Sequence, residues 1–346
     1  MDFCSKRRRR TSPARPLAAL TVLTLWLSGI GGGVTSRPAN AQGGASWLDI
    51  ANAYRTSVGL AALGPDSTLQ RGVEKHVEYL SATGSLQHGQ AIGHPLYTPE
   101  GDVAAQQSVL GGWTGGERSD RELIDGWMAA PFHAIHLFEP RLARVAFASV
   151  RGRTGNKLPS AAVMNIIGGI GPKVIADKPI VFPGRNSVIP LTTFTVETPD
   201  PLTHCPGYSA PAGLGLIAMF AKPVMGASAT LTANGVTVES CVVDTSYRNP
   251  DPSAQNVVRY ILGQKNAVVV MPRQPLEPST VYEVAVIAGD QQVSWTFTAA
   301  ASGSDLPTKA TETIGFVPVS GGPKRTKTAA KKATTTNTTT PQAKRP

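Results

Sequence analysis

The chain has 346 residues, 41% of them hydrophobic, with 35 glycines and 28 prolines. That length allows about two domains plus tails, and the glycine and proline content predicts many turns and strands with few helices. The formal charge of +10 sits at the ends: residues 1–41 carry +6 and residues 324–346 carry +7, leaving −3 for residues 42–323. A folded body of that sign argues against nucleic acid as a partner, because a nucleic-acid-binding domain carries its basic residues on a folded face.

Residues 1–41 read as a secretory signal peptide. Lys6 to Arg10 form a basic stretch, Leu17 to Ile30 an apolar run, and Ala39-Asn40-Ala41 a small-x-small cleavage site. The apolar run is shorter than the roughly twenty residues a membrane span needs; an uncleaved anchor is the alternative. Arg9-Arg10 lacks the apolar continuation of a twin-arginine signal, so the general secretory route is expected, with a mature chain starting near Gln42. Cys4 leaves with the signal. Cys205 and Cys241 remain and are expected to pair in an oxidising compartment, the alternative being two buried thiols.

Residues 46–171 read as an α-then-β domain. Leu48, Ala51, Tyr54 and Val58 recur at helical spacing before Gly59. A second helix, capped by Asp66 or Ser67, carries Leu69, Val73, His76, Val77 and Leu80 up to Gly84. Residues 85–115 read as a Gly-rich loop, in which Tyr97 and Trp113 would be exposed aromatics able to meet a ligand. Ser119 and Glu122 form a capping box for a third helix ending near Met128, and Phe132 to Leu137 a short further turn. Arg144–Val150 and Ala161–Ile167 read as strands.

The second half is expected to be all β. Residues 172–202 are broken by five prolines and read as an extended connector. Within residues 203–301 every segment from Gly213 to Ala299 reads as strand, with turn signals at Asn234-Gly235 and Gly289-Asp290, which predicts an immunoglobulin-like β-sandwich. Residues 302–346 form a Lys/Thr/Pro-rich tail with too little apolar surface to fold.

Several stretches of the first domain resemble, in order, the CAP superfamily (cysteine-rich secretory, antigen 5 and pathogenesis-related proteins) in its bacterial, cysteine-poor branch. Asn52-Ala53-Tyr54-Arg55 with Gly59-Leu60 resembles the opening helix and turn, and Gly84-Ser85-Leu86-Gln87-His88 the family's Gly-x-x-x-His. Trp127-Met128-Ala129-Ala130-Pro131-Phe132-His133 resembles Trp-Met-x-Ser-Pro-x-His, and Leu137, Pro140 and the Arg144–Val150 strand resemble its closing segment. The resemblance implies an α+β fold overall, with a CAP α/β/α sandwich ahead of the β-sandwich and disordered basic tail. It also implies a cleft lined by two histidines and two acids that can hold a divalent metal such as zinc.

His88 and His133 match the histidine positions. The acids are missing: Gln107 stands where the family has its first Glu, and Ala130 where the eukaryotic branch has its second. His94, Glu100, Asp102 and Glu117 are candidate substitutes from the intervening loop, and His136 shares a helical face with His133. His76 reads as a structural helix histidine and His204 as a surface residue. A stable zinc site wants three or four donors, and there is no nucleophile elbow or zinc-protease helix.

Three functions follow. The first is a secreted, non-enzymatic module binding a lipid, cell-wall or host ligand. The second is a metal-dependent hydrolase of wall peptide or protein using His88 and His133. The third is a surface-structural spacer, with residues 324–346 attracted to anionic envelope polymers.

Overall fold

The computed structural model describes residues 24–27, 45–303, 305–310 and 312–318. The basic stretch, the Ala39–Ala41 cleavage site and residues 324–346 lie outside them. In chain order the first half runs β1 (Thr24–Leu27), α1 (Trp47–Ser57), β2 (Gly64–Pro65), α2 (Ser67–Thr83), α3 (Pro99–Gln106), β3 (Ser108–Trp113), α4 (Asp120–Ala129), α5 (Pro131–Leu137), β4 (Arg144–Val150) and β5 (Ser160–Asn165).

The expected helix ends are present. Asp66 caps α2 through the Thr68 N–H, Gly84 closes it in the left-handed conformation, and Ser119 and Glu122 form the capping box of α4. Two elements lie in the segment read as loop. Thr98 caps α3 by accepting from the Gly101 N–H, with Pro99 at its first position. After it β3 pairs antiparallel with β5, and Trp113 is fully buried, which corrects the reading of Trp113 as an exposed aromatic. The two glycines of β3 hid the strand signal: a Cβ on Gly111 would collide with the Trp113 ring, and one on Gly112 with Leu158 and Leu86.

The sheet has the order β1-β3-β5-β4-β2. Its two faces bury separate clusters, as a period of two requires. Ala146, Ala148, Ala161 and Val163 meet Val73, Val77 and Leu80 of α2. Phe147, Ala162 and Met164 face α1, α4 and α5 through Tyr54, Ile124, Trp127 and Phe132. This is a three-layer α/β/α sandwich, and both clusters draw on β3, β4 and β5. The outer strand β1, inside the apolar run read as signal peptide, runs parallel to β3 with Thr24 opposite Leu110.

The second half departs further from expectation. It runs β6 (Val174–Ala176), β7 (Ile180–Phe182), β8 (Val188–Ile189), β9 (Thr193–Phe194), β10 (Ala212–Gly213), β11 (Leu216–Met219), β12 (Ser228–Ala233), β13 (Val236–Thr237), β14 (Ser240–Val243), α6 (Pro252–Lys265), β15 (Ala267–Pro272), β16 (Val281–Ala288), β17 (Gln291–Ala299) and β18 (Phe316–Pro318). The main sheets are β14-β15-β11-β7 and β13-β12-β16-β17-β8.

Residues 172–202 are therefore not a free connector, because β7 and β8 complete these two sheets. Prolines sit between these strands rather than within them, so they delimit short edge strands. The all-strand reading also missed α6. Asp251 caps it, Pro252 starts it, and Val258, Ile261 and Leu262 bury one helical face. The tail begins later than residue 302: β18 pairs with β6, and Ile314 is buried against the chain at Gly59. Cys205 and Cys241 form a disulfide with a Cα–Cα distance of 5.8 Å.

One continuous core joins the halves. Phe182 packs against Tyr54 and Phe138, and Tyr247 meets Phe132 edge-on. The layer of α1, α4 and α5 is thus covered on one side by the first sheet and on the other by the second half.

Candidate functional site

The two expected histidines come from different layers. His88 follows α2, and its Nδ1 lies 2.9 Å from the Ala105 carbonyl at the end of α3. That carbonyl can only accept, so Nδ1 carries the proton and Nε2 the lone pair. His133 sits in the first turn of α5. Its Nδ1 lies 2.7 Å from Glu197 Oε1, and both side chains are 0% exposed. His88 lies near enough to His133 for a charge on either ring to oppose one on the other.

His76, His133 and His136 are buried and His88 is half-buried. Burial lowers His88 to about 4, the nearby His133 acting in the same direction and the Ala105 carbonyl against it. Burial and the neighbouring His88 lower His76 to about 3. Burial, then the charges of Lys265 and His133, hold His136 well below the usual histidine range. Nε2 of His76, His88, His133 and His136 is buried without a hydrogen-bond partner. His76 is held by Gln90, whose Nε2 is 3.3 Å from its Nδ1, and Gln90 also takes the Thr98 N–H, so the loop before α3 is pinned to α2.

The carboxylate beside His133 was not foreseen. Glu197 stands beyond the resembling segment, in a stretch read as connector, and nothing local marked it. Its Oε1 accepts from the His133 backbone N–H at 2.9 Å as well as from the ring, and its Oε2 accepts from the Phe132 N–H at 3.2 Å. Burial raises its pKa against these bonds. Three donors hold the carboxylate, so it orients His133 rather than standing free to take a proton from water.

Arg55 was also missed as a site residue. It is buried and donates to the carbonyls of Ala61, Leu137, Glu139 and Leu142, fastening α1 to the end of α5. Burial lowers its pKa to about 10, opposed by the charge of Glu139, so it stays protonated at neutral pH.

The substitute donors are placed elsewhere. Gln107 Oε1 accepts from Asn165 Nδ2 at 3.1 Å, which ties α3 to β5. Glu100 pairs with Arg71 at the surface, Asp102 accepts from the Gln90 N–H, and Glu117 is exposed. His94 lies edge-on to Tyr79 and accepts from the Leu96 N–H. His204 accepts from the Arg248 N–H.

The two Nε2 lone pairs suit a metal, and both rings have the oriented Nδ1 partners typical of metal ligands. The donor number does not. Among the described residues no group of three or more His, Cys, Asp or Glu is placed to hold an ion, so the residues present fall short of the three or four donors a zinc site uses.

The first domain is thus a three-layer α/β/α sandwich carrying His88 and His133. Residues 48–166 match the model of CAP, the cysteine-rich secretory protein family, and the chain carries a CAP domain there. No curated protein matches the chain.

Proposed function

We propose that this is a secreted CAP-domain protein that binds a lipid, cell-wall or host ligand at the envelope or outside the cell and carries out no reaction on it. One observation supports this reading above others: the carboxylate beside His133 is held by three N–H groups and the Nε2 atoms of His88 and His133 are enclosed, so among the described residues no free carboxylate stands beside an accessible imidazole there. The signal-peptide pattern of residues 1–41 and the disulfide fit export. Among the described residues no helix is long and apolar enough to cross a membrane. The second half reads as an immunoglobulin-like sandwich elaborated by α6, and residues 324–346, with seven basic and no acidic residues, as a segment that adds attraction to anionic polymers.

The hydrolase reading draws on the two oriented imidazoles alone. It needs a third donor or free carboxylate that the site does not offer, and no step is derived through a metal. The experiment is co-sedimentation of the purified protein with isolated cell-wall sacculi and, separately, with phosphatidylglycerol vesicles. Retention on one of them, unchanged in His88→Ala, is expected. Retention on neither would overturn the envelope reading.

A further inference from the structure

We propose that the second half of the chain sets the hydrogen-bonding state of the CAP histidine site, with Glu197 as the positioning residue for His133. This rests on the reading of that site given above, and it assigns the second half a part in the site beyond that of a spacer.

The argument begins at the start of α5. Pro131 has no N–H, and the N-cap residue Ala130 has no side chain to accept a bond. The next donors, the N–H groups of Phe132 and His133, point away from the helix and need acceptors. Within the CAP segment the Ala130 carbonyl reaches the His133 N–H at 3.0 Å, and the Phe132 N–H is taken by Glu197 from outside it. Glu197 accepts both and takes the His133 ring N–H as well. A fully buried carboxylate in this position cannot turn away without orphaning the Phe132 N–H and the His133 ring N–H.

That bond decides the tautomer. A carboxylate accepts, so the His133 proton is placed on Nδ1 and the lone pair on Nε2. His88 reaches the same state through the Ala105 carbonyl, which belongs to the CAP segment itself. One imidazole of the pair is thus set from within the domain and the other from outside it.

The far end of α5 is held in the same way. Lys265, at the end of α6, pairs with Glu139 just beyond α5, and Glu139 also binds Arg141. The carboxylate at the start of the helix suits its dipole, and at the other end the Lys265 ammonium offsets the adverse Glu139 carboxylate. The approach between the halves is close here: a Cβ on Gly215 would lie 3.0 Å from Pro131.

The test reads the proton position directly. The full chain, labelled with nitrogen-15, is studied by proton–nitrogen spectra of the histidine rings above neutral pH. For the native protein the expected result is a single His133 tautomer protonated at Nδ1, with that proton shifted strongly downfield by the carboxylate. In Glu197→Ala the downfield proton is lost and the Nε2-protonated form of His133 appears, while His88 is unchanged. In Glu197→Gln the side-chain carbonyl still accepts, so the Nδ1 tautomer is retained with a smaller downfield shift. The native and Gln spectra decide the matter even if the Ala variant does not fold. A proton on Nε2 of His133 in the native protein would overturn the proposal. So would an unchanged His133 in Glu197→Ala, or a His88 signal that changes together with it. These spectra report on the ring alone, so the outcome is separate from whether the protein binds wall or vesicles.

Discussion

Glu197 Oε1 lies 2.7 Å from His133 Nδ1, and the two residues are 64 positions apart. The contact joins a residue of the CAP domain to one outside it. The carboxylate is present but turned to orientation, and the remaining imidazole nitrogens are enclosed. The chemistry available at the site follows from that relationship.

Acid should destabilise the fold through its histidines. His88 and His76 titrate near 6.5 when unfolded but near 4 and 3 when folded, because burial disfavours their charge. Their contribution is therefore complete above about pH 6.5 and is lost progressively as pH falls toward those lower values. A thermal melting series across that window is expected to show a steep loss of several kcal/mol, of which about 3 kcal/mol belongs to His88. His88→Asn, which keeps a donor for the Ala105 carbonyl, should flatten it; an acid limb of unchanged depth would contradict this assignment.

Arg55 should be among the least replaceable residues of the CAP domain. Arg55→Met leaves four carbonyls without their donor and is expected to cost about 3–5 kcal/mol in denaturant unfolding. Arg55→Lys should fall between, since one ammonium cannot reach carbonyls spread over two chain segments.

How far the sequence reaches is clear from these residues. The caps at Asp66 and Ser119 and the strand Arg144–Val150 were legible, because local propensity and burial agree there. His88 and His133 were read as a pair through the order of the family's motifs. Strand β3 was not, since its glycines exist to admit Trp113 and Leu158 and erase the β signal. Helix α6 was overlooked among strong strands although Asp251, Pro252 and the spacing of Val258, Ile261 and Leu262 mark it. Glu197 was beyond reach, because its partners are brought to it only by the packing of one half on the other.

The Cys205–Cys241 bond closes a loop across 36 positions in the second half. Loop-closure entropy predicts that reduction, or the paired change Cys205→Ser with Cys241→Ser, lowers stability by about 3 kcal/mol. A melting temperature insensitive to dithiothreitol would show that the packing alone holds that half.

The tail should act by charge. Removing residues 324–346 takes away seven basic residues and no acidic ones, so binding to phosphatidylglycerol vesicles is expected to weaken several-fold at low salt. Raising the salt to about 1 M, where screening acts within about 3 Å, should give the intact chain the same loss. Equal binding of the two proteins at low salt would remove the tail from the account.

The central claim is that the histidine pair serves a binding domain and performs no hydrolysis. It is tested most directly by incubating the native protein and His88→Ala with isolated wall peptide, with and without added zinc, and measuring newly released amino groups. The account predicts no release above the protein-free background in any arm. Release by the native protein that His88→Ala abolishes would contradict it.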